Sequence, residues 1–197
     1  LSHTGTITGD GYGLTLGGST GGTLASVIGT GAGTLTKQDS GTWILTGNST
    51  FSGDTTVSAG TLQWGNGGTA GSISGDIYTS AGTALVINRS NDWTYGGNIS
   101  GPGVITLSGS GTTTLSGANS FTGEVNLNSG VLNLGSSGAL GSSGTINMSG
   151  GVLQYSSFNA SDYSGRFSAA PNQTYTIDTN GQTVTYANAL TSVGGTL

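Results

Sequence analysis

Apolar and polar residues alternate one by one along most of this chain. The pattern recurs in "GTLTK" (Gly33–Lys37), "TWILT" (Thr42–Thr46), "GTLQW" (Gly60–Trp64), "ALVIN" (Ala84–Asn88), "VITLS" (Val104–Ser108), "GVLQY" (Gly151–Tyr155), "TYTID" (Thr174–Asp178) and "QTVTY" (Gln182–Tyr186). A period of two sends successive side chains to opposite faces of an extended strand. Each run is bounded by Gly, Asn, Asp or Ser, the residues that accept tight turns. No apolar stripe at i, i+3, i+4 and i+7 appears, and the abundant Gly, Thr and Val are poor helix formers. The chain reads as all-β, built from many short strands.

A longer pattern lies over the first. "LTGNSTFSGDTTVSAGTLQWG" (Leu45–Gly65) aligns without a gap on "LSGANSFTGEVNLNSGVLNLG" (Leu115–Gly135), 70 positions on. The apolar residues and glycines hold their places while the polar residues drift. A sandwich of hairpins needs no such period. A solenoid does, because each coil lies on the one before and must present the same inward face. Leu45/Leu115, Leu62/Leu132 and Val57/Leu127 are predicted to point inward. Gly47, Gly53 and Gly60, with Gly117, Gly123 and Gly130, are predicted at corners where φ is positive and no Cβ is tolerated. With roughly 20–25 residues per coil, the 70-residue offset predicts about three coils, and the chain eight or nine, at ~4.8 Å each. The predicted organisation is one continuous β-solenoid over residues 1–197. It has repeat units near 31–65 and 101–135 and spacer coils at 66–100 and 136–197.

"GAGTLTKQDSGTWILTGNSTFSGDTTVSAGTLQWG" (Gly31–Gly65) resembles the autotransporter-associated, or passenger-associated, β-strand repeat. That family reads roughly Gly-x-Gly-x-Leu-x-Lys, Gly-Thr-Leu-x-Leu-x-Gly, Asn-x-Tyr-x-Gly and Thr-x-Val-x-x-Gly-x-Leu. Here Trp43 replaces a Leu, and Phe51 and Phe121 replace the Tyr. In the second copy, Gly101–Gly135, Leu107 stands where the Lys belongs, and Glu124–Val125 replaces the Gly/Asp–Thr pair. "GGTAGSISGDIYTSAGTALVINRSNDWTYGGNISGPG" (Gly67–Gly103) resembles the usual spacer, and the closing "GGTL" (Gly194–Leu197) resembles the opening of a third unit. The resemblance implies a right-handed parallel β-helix, a single elongated array of coils within a large secreted or surface-displayed bacterial protein. It also implies a stalk or scaffold that assists export by folding coil by coil.

Composition meets one objection first, since Gly/Ser/Thr-rich chains are often disordered. Gly is 40 of 197 residues, against an ordinary ~7%. Yet the net charge is only −5, Pro occurs twice, and the apolar residues are spaced, not scattered. Cys is absent, which excludes disulfides and thiolate metal sites and suits a chain exported unfolded. Lys37, Arg89 and Arg166 are the only bases, too few to build a phosphate-binding surface, so nucleic acid is not a partner. No apolar run approaches the ~20 residues of a membrane helix. The chain begins at Leu1 and shows no signal peptide, which points to a processed chain or a fragment.

Candidate chemistry adds little. The acids are Asp10, Asp39, Asp54, Asp76, Asp92, Asp162, Asp178 and Glu124. They sit mostly in turn contexts and recur at no shared repeat position, whereas a glycosidase needs two convergent carboxylates. His3 is the sole His and cannot complete a triad. "QDSG" (Gln38–Gly41) has "SGSG" (Ser108–Gly111) as its copy and reads as a turn. "GDGYG" (Gly9–Gly13) occurs once, not in the tandem that calcium-binding β-rolls need. No Lys-Ser/Thr follows "GYGLTLGG" to meet phosphate. The Asn-x-Ser/Thr sequons, such as Asn48 and Asn98, are what an Asn/Ser/Thr-rich chain produces by chance.

Two surfaces remain as candidates. Thr34/Thr36, Thr112/Thr114 and Thr183/Thr185 suggest a flat hydroxyl ladder, and Trp64, Trp93, Tyr95 and Tyr163 suggest stacking on sugars, with core packing as the competing reading. The expected function is a non-enzymatic extracellular scaffold with no catalytic, cofactor or metal site. Its expected partners are its own copies, stacked end to end into a filament, or neighbouring coils of a longer parent. A glycan-binding adhesin is the alternative, and a polysaccharide-cleaving enzyme on the same fold is the third reading.

Overall fold

A computed structural model describes residues 5–197. The chain winds into a parallel β-solenoid of about eight coils. Each coil visits up to three faces, and every paired strand lies parallel to the strand one coil away. The first face holds β2 (Leu14–Leu16), β5 (Leu35–Lys37), β7 (Thr55–Val57), β9 (Ile77–Thr79) and β12 (Ile99–Ser100). The second holds β3 (Gly21–Leu24), β6 (Thr42–Leu45), β8 (Thr61–Trp64), β10 (Ala84–Ile87), β13 (Val104–Leu107), β15 (Val125–Leu127) and β17 (Ile146–Met148). The third face is divided. β1 (Ile7–Thr8) and β4 (Ile28–Gly29) form a short pair. A separate sheet contains β11 (Trp93–Tyr95), β14 (Thr112–Leu115), β16 (Val131–Leu134), β18 (Val152–Gln154) and β19 (Thr176–Asp178). Among the described residues, the single helical element is a 3-10 turn at Ser164–Arg166.

Inward side chains stack in columns, apolar throughout on the second face and interrupted by Thr55, Lys37, Thr79 and Thr113 on the other two. On the second face Leu24, Leu45, Trp64, Ile87, Leu107, Leu127 and Met148 stand in register, and every one is buried. Beside them run Trp43, Leu62, Leu85, Ile105, Val125 and Ile146. All six residues predicted to point inward are buried. Successive members of the first column are 19 to 23 residues apart, so one coil takes about that many.

Three expectations need correction. The 70-residue offset is not a whole number of coils. Leu45 stacks through Trp64 and Ile87 on Leu107, 62 residues on, and Leu115 is already on the next face. Residues equivalent in the two copies therefore stand on different faces and do not share a column.

The glycines also divide by cause. Only Gly60 and Gly130 of the predicted six have positive φ, 67° and 68°. Gly47, Gly53, Gly117 and Gly123 are required by stacking alone, since a Cβ there would lie 2.0–2.3 Å from a carbonyl oxygen of the coil below, a close approach that Gly60 and Gly130 share at 2.5 and 2.3 Å in addition to their positive φ. Lastly, Gln182–Tyr186 alternates but forms no strand. Val184 and Tyr186 pack half-buried against the core without joining a ladder.

Candidate functional site

The three bases, too few to meet the phosphates of nucleic acid, all bind backbone carbonyls. Lys37 ends β5 with its side chain inward and fully buried. Its Nζ donates to the carbonyls of Gln38 (2.8 Å), Asp39 (2.7 Å) and Ala59 (2.9 Å), joining one corner to the corner of the next coil. Arg89 follows β10 and is 6% exposed. It donates to the carbonyls of Gly71 and Thr69 and to Asn91 Oδ1, and its guanidinium lies 5.2 Å from the Trp93 ring centre. Arg166 donates to the carbonyls of Gly144, Leu140, Gly141 and Ser143. Corner carbonyls fall outside the inter-coil ladders, and a buried carbonyl without a donor is costly. A cationic fork or ammonium serves several of them at once.

The acids serve turns and rungs. Asp39 adopts φ 61°, and its Oδ2 accepts from Gly18 N–H at 2.8 Å. Asp54, Asp76 and Asn98 form a rising column. Asp54 Oδ1 accepts from Asp76 N–H, Asp76 accepts from Asn98 N–H and Nδ2, and Asn98 Oδ1 accepts from Ala118 N–H. Asp92 accepts from Thr112 N–H, Asp162 from Ser164 and Ala187 N–H, and Asp178 from Gln154 Nε2 and Asn180 N–H. No group of three or more His, Asp or Glu that could hold a metal ion occurs among the described residues. His3 lies outside them.

Hydrogen bonds from Asn98 hold the Asp76 carboxyl below the ordinary carboxylate range; Ser164 and Ala187 do the same for Asp162, and Gln154 and Asn180 for Asp178. A carboxylate with a depressed folded pKa stabilises the fold above its unfolded value of ~3.9. That contribution is lost as pH falls through the folded value. Thermal melts should therefore be flat from neutral pH to about pH 5 and drop below about pH 4. A melting temperature that rises on acidification through that window would contradict this.

The four aromatics considered for sugar stacking belong mostly to the interior. Trp64, Tyr95 and Tyr163 are buried and Trp93 is half-buried. Among the described residues the exposed Phe, Trp and Tyr rings are Tyr12, Tyr78 and Phe158, which alternation alone does not distinguish. Tyr78 is set among polar groups. It lies on the outward side of β9 in a shallow groove with Asp54, Thr56, Asp76 and Ser100. The Thr pairs make no flat face. Thr15, Thr36 and Thr56 do align on the first face until Tyr78 interrupts them. Thr114 stands on the third face between Thr94 and Asn133, and Thr183 and Thr185 lie in no strand.

The passenger-associated-transport-repeat family model matches residues 35–63 and 105–134. These are the stretches from β5 to β8 and from β13 to β16. The adhesin BmaC autotransporter of Brucella suis biovar 1 (strain 1330) is 54% identical over 84 residues, covering 41% of this chain. The chain spans about 2% of that relative's length. No solved structure matches the chain. The chain thus carries two stretches that match the passenger-associated transport repeat, both wound on one parallel solenoid.

Proposed function

We propose that this chain is a non-enzymatic scaffold segment of a bacterial passenger displayed at the cell surface or released from it. The supporting observation is that the repeat's own signature residues serve stacking. Gly53 and Gly123 admit the neighbouring coil, Phe51 and Phe121 fill the core, and Lys37 binds corner carbonyls. The autotransporter relative supports the extracellular setting. Fused between a secretion signal and an outer-membrane β-barrel translocator, the chain should reach added protease on intact cells. Retention in the periplasm would refute the reading. Sugar release from any common polysaccharide, abolished by Asp76→Asn, would refute the non-enzymatic part.

A second reading is adhesion to glycan, and the Tyr78 groove favours it. A half-exposed ring can cover the apolar face of a sugar while Asp54 and Asp76 accept from its hydroxyls. Binding on a glycan array that Tyr78→Ala removes would support it. The proposal also includes end-to-end contact, between copies or with adjoining coils of a longer parent. β19 closes its sheet, and Ile177, Val184, Tyr186, Leu190 and Leu197 line an apolar depression beside it. Such an edge pairs readily with another chain. Light scattering of the isolated chain should show mass increasing with concentration; a strict monomer throughout would exclude the contact between copies.

A further inference from the structure

We propose that the 35-residue unit is interchangeable among the faces of the solenoid, and that spacer 66–100 is an adaptor that turns it by one face. In the first copy β5 and β6 occupy the first and second faces, Gly47–Phe51 crosses the third, and β7 and β8 return to the first and second. In the second copy β13 and β14 occupy the second and third faces, Gly117–Phe121 crosses the first, and β15 and β16 return to the second and third.

Equivalent residues do the same work one face on. Ser49 Oγ accepts from Ile28 N–H at 3.2 Å, and its counterpart Asn119 accepts through Oδ1 from Ile99 N–H at 2.8 Å. Phe51 and Phe121 are both fully buried. One corner of the solenoid displays the exchange directly. Gly33, Gly53, Gly75, Gly97 and Gly117 succeed one another there, each beneath the place where the next would carry a Cβ. Gly53 leads into the unit's third strand; Gly117, in the same column, is the counterpart of Gly47.

The change happens inside the spacer. β9, β10 and β11 make a coil with a regular strand on every face. The first-face sheet stops at β12, the long third-face sheet starts at β11, and the second-face sheet runs through both. Where the third face widens, Trp64, Trp93 and Tyr95 fill the interior with ring centres 5.2–5.7 Å apart. Arg89 covers Trp93 and holds the Thr69 and Gly71 carbonyls of the loop beneath. Units spaced this way send their outward side chains in successive directions around the rod, so they build no straight row of repeated binding groups. The unit's sequence answers to stacking, whichever face it meets.

Two deletions test this. Removing residues 46–115 joins Leu45 to Ser116, deletes the adaptor and moves every later strand back by one face. Asn126 then takes the place of Thr56 beside Thr36. In the intact chain Asn126 instead lies between Thr106 and Asn147. Neighbouring rungs lie within disulfide reach. With Thr36→Cys and Asn126→Cys, the shortened chain should melt cooperatively and form an intramolecular disulfide on mild oxidation; the intact chain with the same two substitutions should not. A shortened chain that does not fold, or folds without the cross-link, overturns interchangeability.

Removing residues 46–107 keeps the later strands on their faces but sets β14 directly on the short β4. This chain should melt lower than the other deletion. Equal or higher stability overturns the adaptor role.

Discussion

Gly123→Ala should destabilise the solenoid by on the order of 4 kcal/mol or more, which few single substitutions reach. A Cβ at Gly123 would lie 2.0 Å from the Gly103 oxygen, 2.6 Å from the Gly103 carbon and 2.7 Å from the Pro102 oxygen. All three are backbone atoms, so no side chain can rotate away. Ordinary contact begins near 3.4 Å, so the two coils would have to part by more than an ångström. The neighbouring inter-coil bonds cannot follow: Thr122 N–H to Gly101 O and Ile105 N–H to Glu124 O are both 2.9 Å, and hydrogen bonds weaken steeply beyond about 3.5 Å. Two control glycines separate the causes. Gly82 has φ 74° and open space around it, so Gly82→Ala should cost about 1–2 kcal/mol, the left-handed penalty alone. Gly68 has open space and no positive φ, so Gly68→Ala should change stability by less than about 1 kcal/mol, in the stabilising direction. Denaturant midpoints for the three variants check the order. A Gly123→Ala chain no weaker than Gly82→Ala would mean that the stacking contact is not what selects glycine there.

The same contrast shows why sequence reasoning reached some of this structure and missed the rest. Alternation is a local signal, and Leu45, Leu62, Leu115 and Leu132 stand inward because a strand of period two next to a turn leaves few options. Gln182–Tyr186 carries the same signal but acquires no partner strand. Pairing depends on the neighbouring coil, which the local pattern does not contain. Positive φ and close backbone approach both select glycine, so Gly53 and Gly60 look alike until coordinates separate them. The turn by one face was hidden because coil length varies from 19 to 23 residues. A 70-residue period divided by a coil known only to within a few residues cannot tell three coils from three coils and a face. Tyr78 gave no signal at all, since an outward aromatic and an inward one occupy alternate places in the same pattern.

Lys37→Met should cost about 3 kcal/mol, and adding Ala59→Ser should recover about 1 kcal/mol of it. Methionine keeps the apolar stem in the core but removes the donor. The carbonyls of Gln38, Asp39 and Ala59 then lose their partner together, and each partly buried orphan costs about 1–3 kcal/mol, less where water can reach it. The rescue is written in the second copy. There Leu107 replaces Lys37 and Ser129 replaces Ala59. Ser129 Oγ donates to the Gly109 carbonyl at 3.0 Å, and Gly109 is the counterpart of Asp39. The two copies therefore supply the same corner carbonyl by different side chains, one reaching from the strand and one from the turn of the coil above. A serine at 59 should reach the Asp39 carbonyl in the same way and leave the other two unsatisfied, which is why recovery is partial. Ser129→Ala, losing one neutral bond, should cost about 1 kcal/mol in its own copy. Chemical denaturation of the four chains measures the cycle. If Ala59→Ser stabilises the parent as much as it stabilises Lys37→Met, the hydroxyl is not substituting for the ammonium, and the equivalence of the two corners fails.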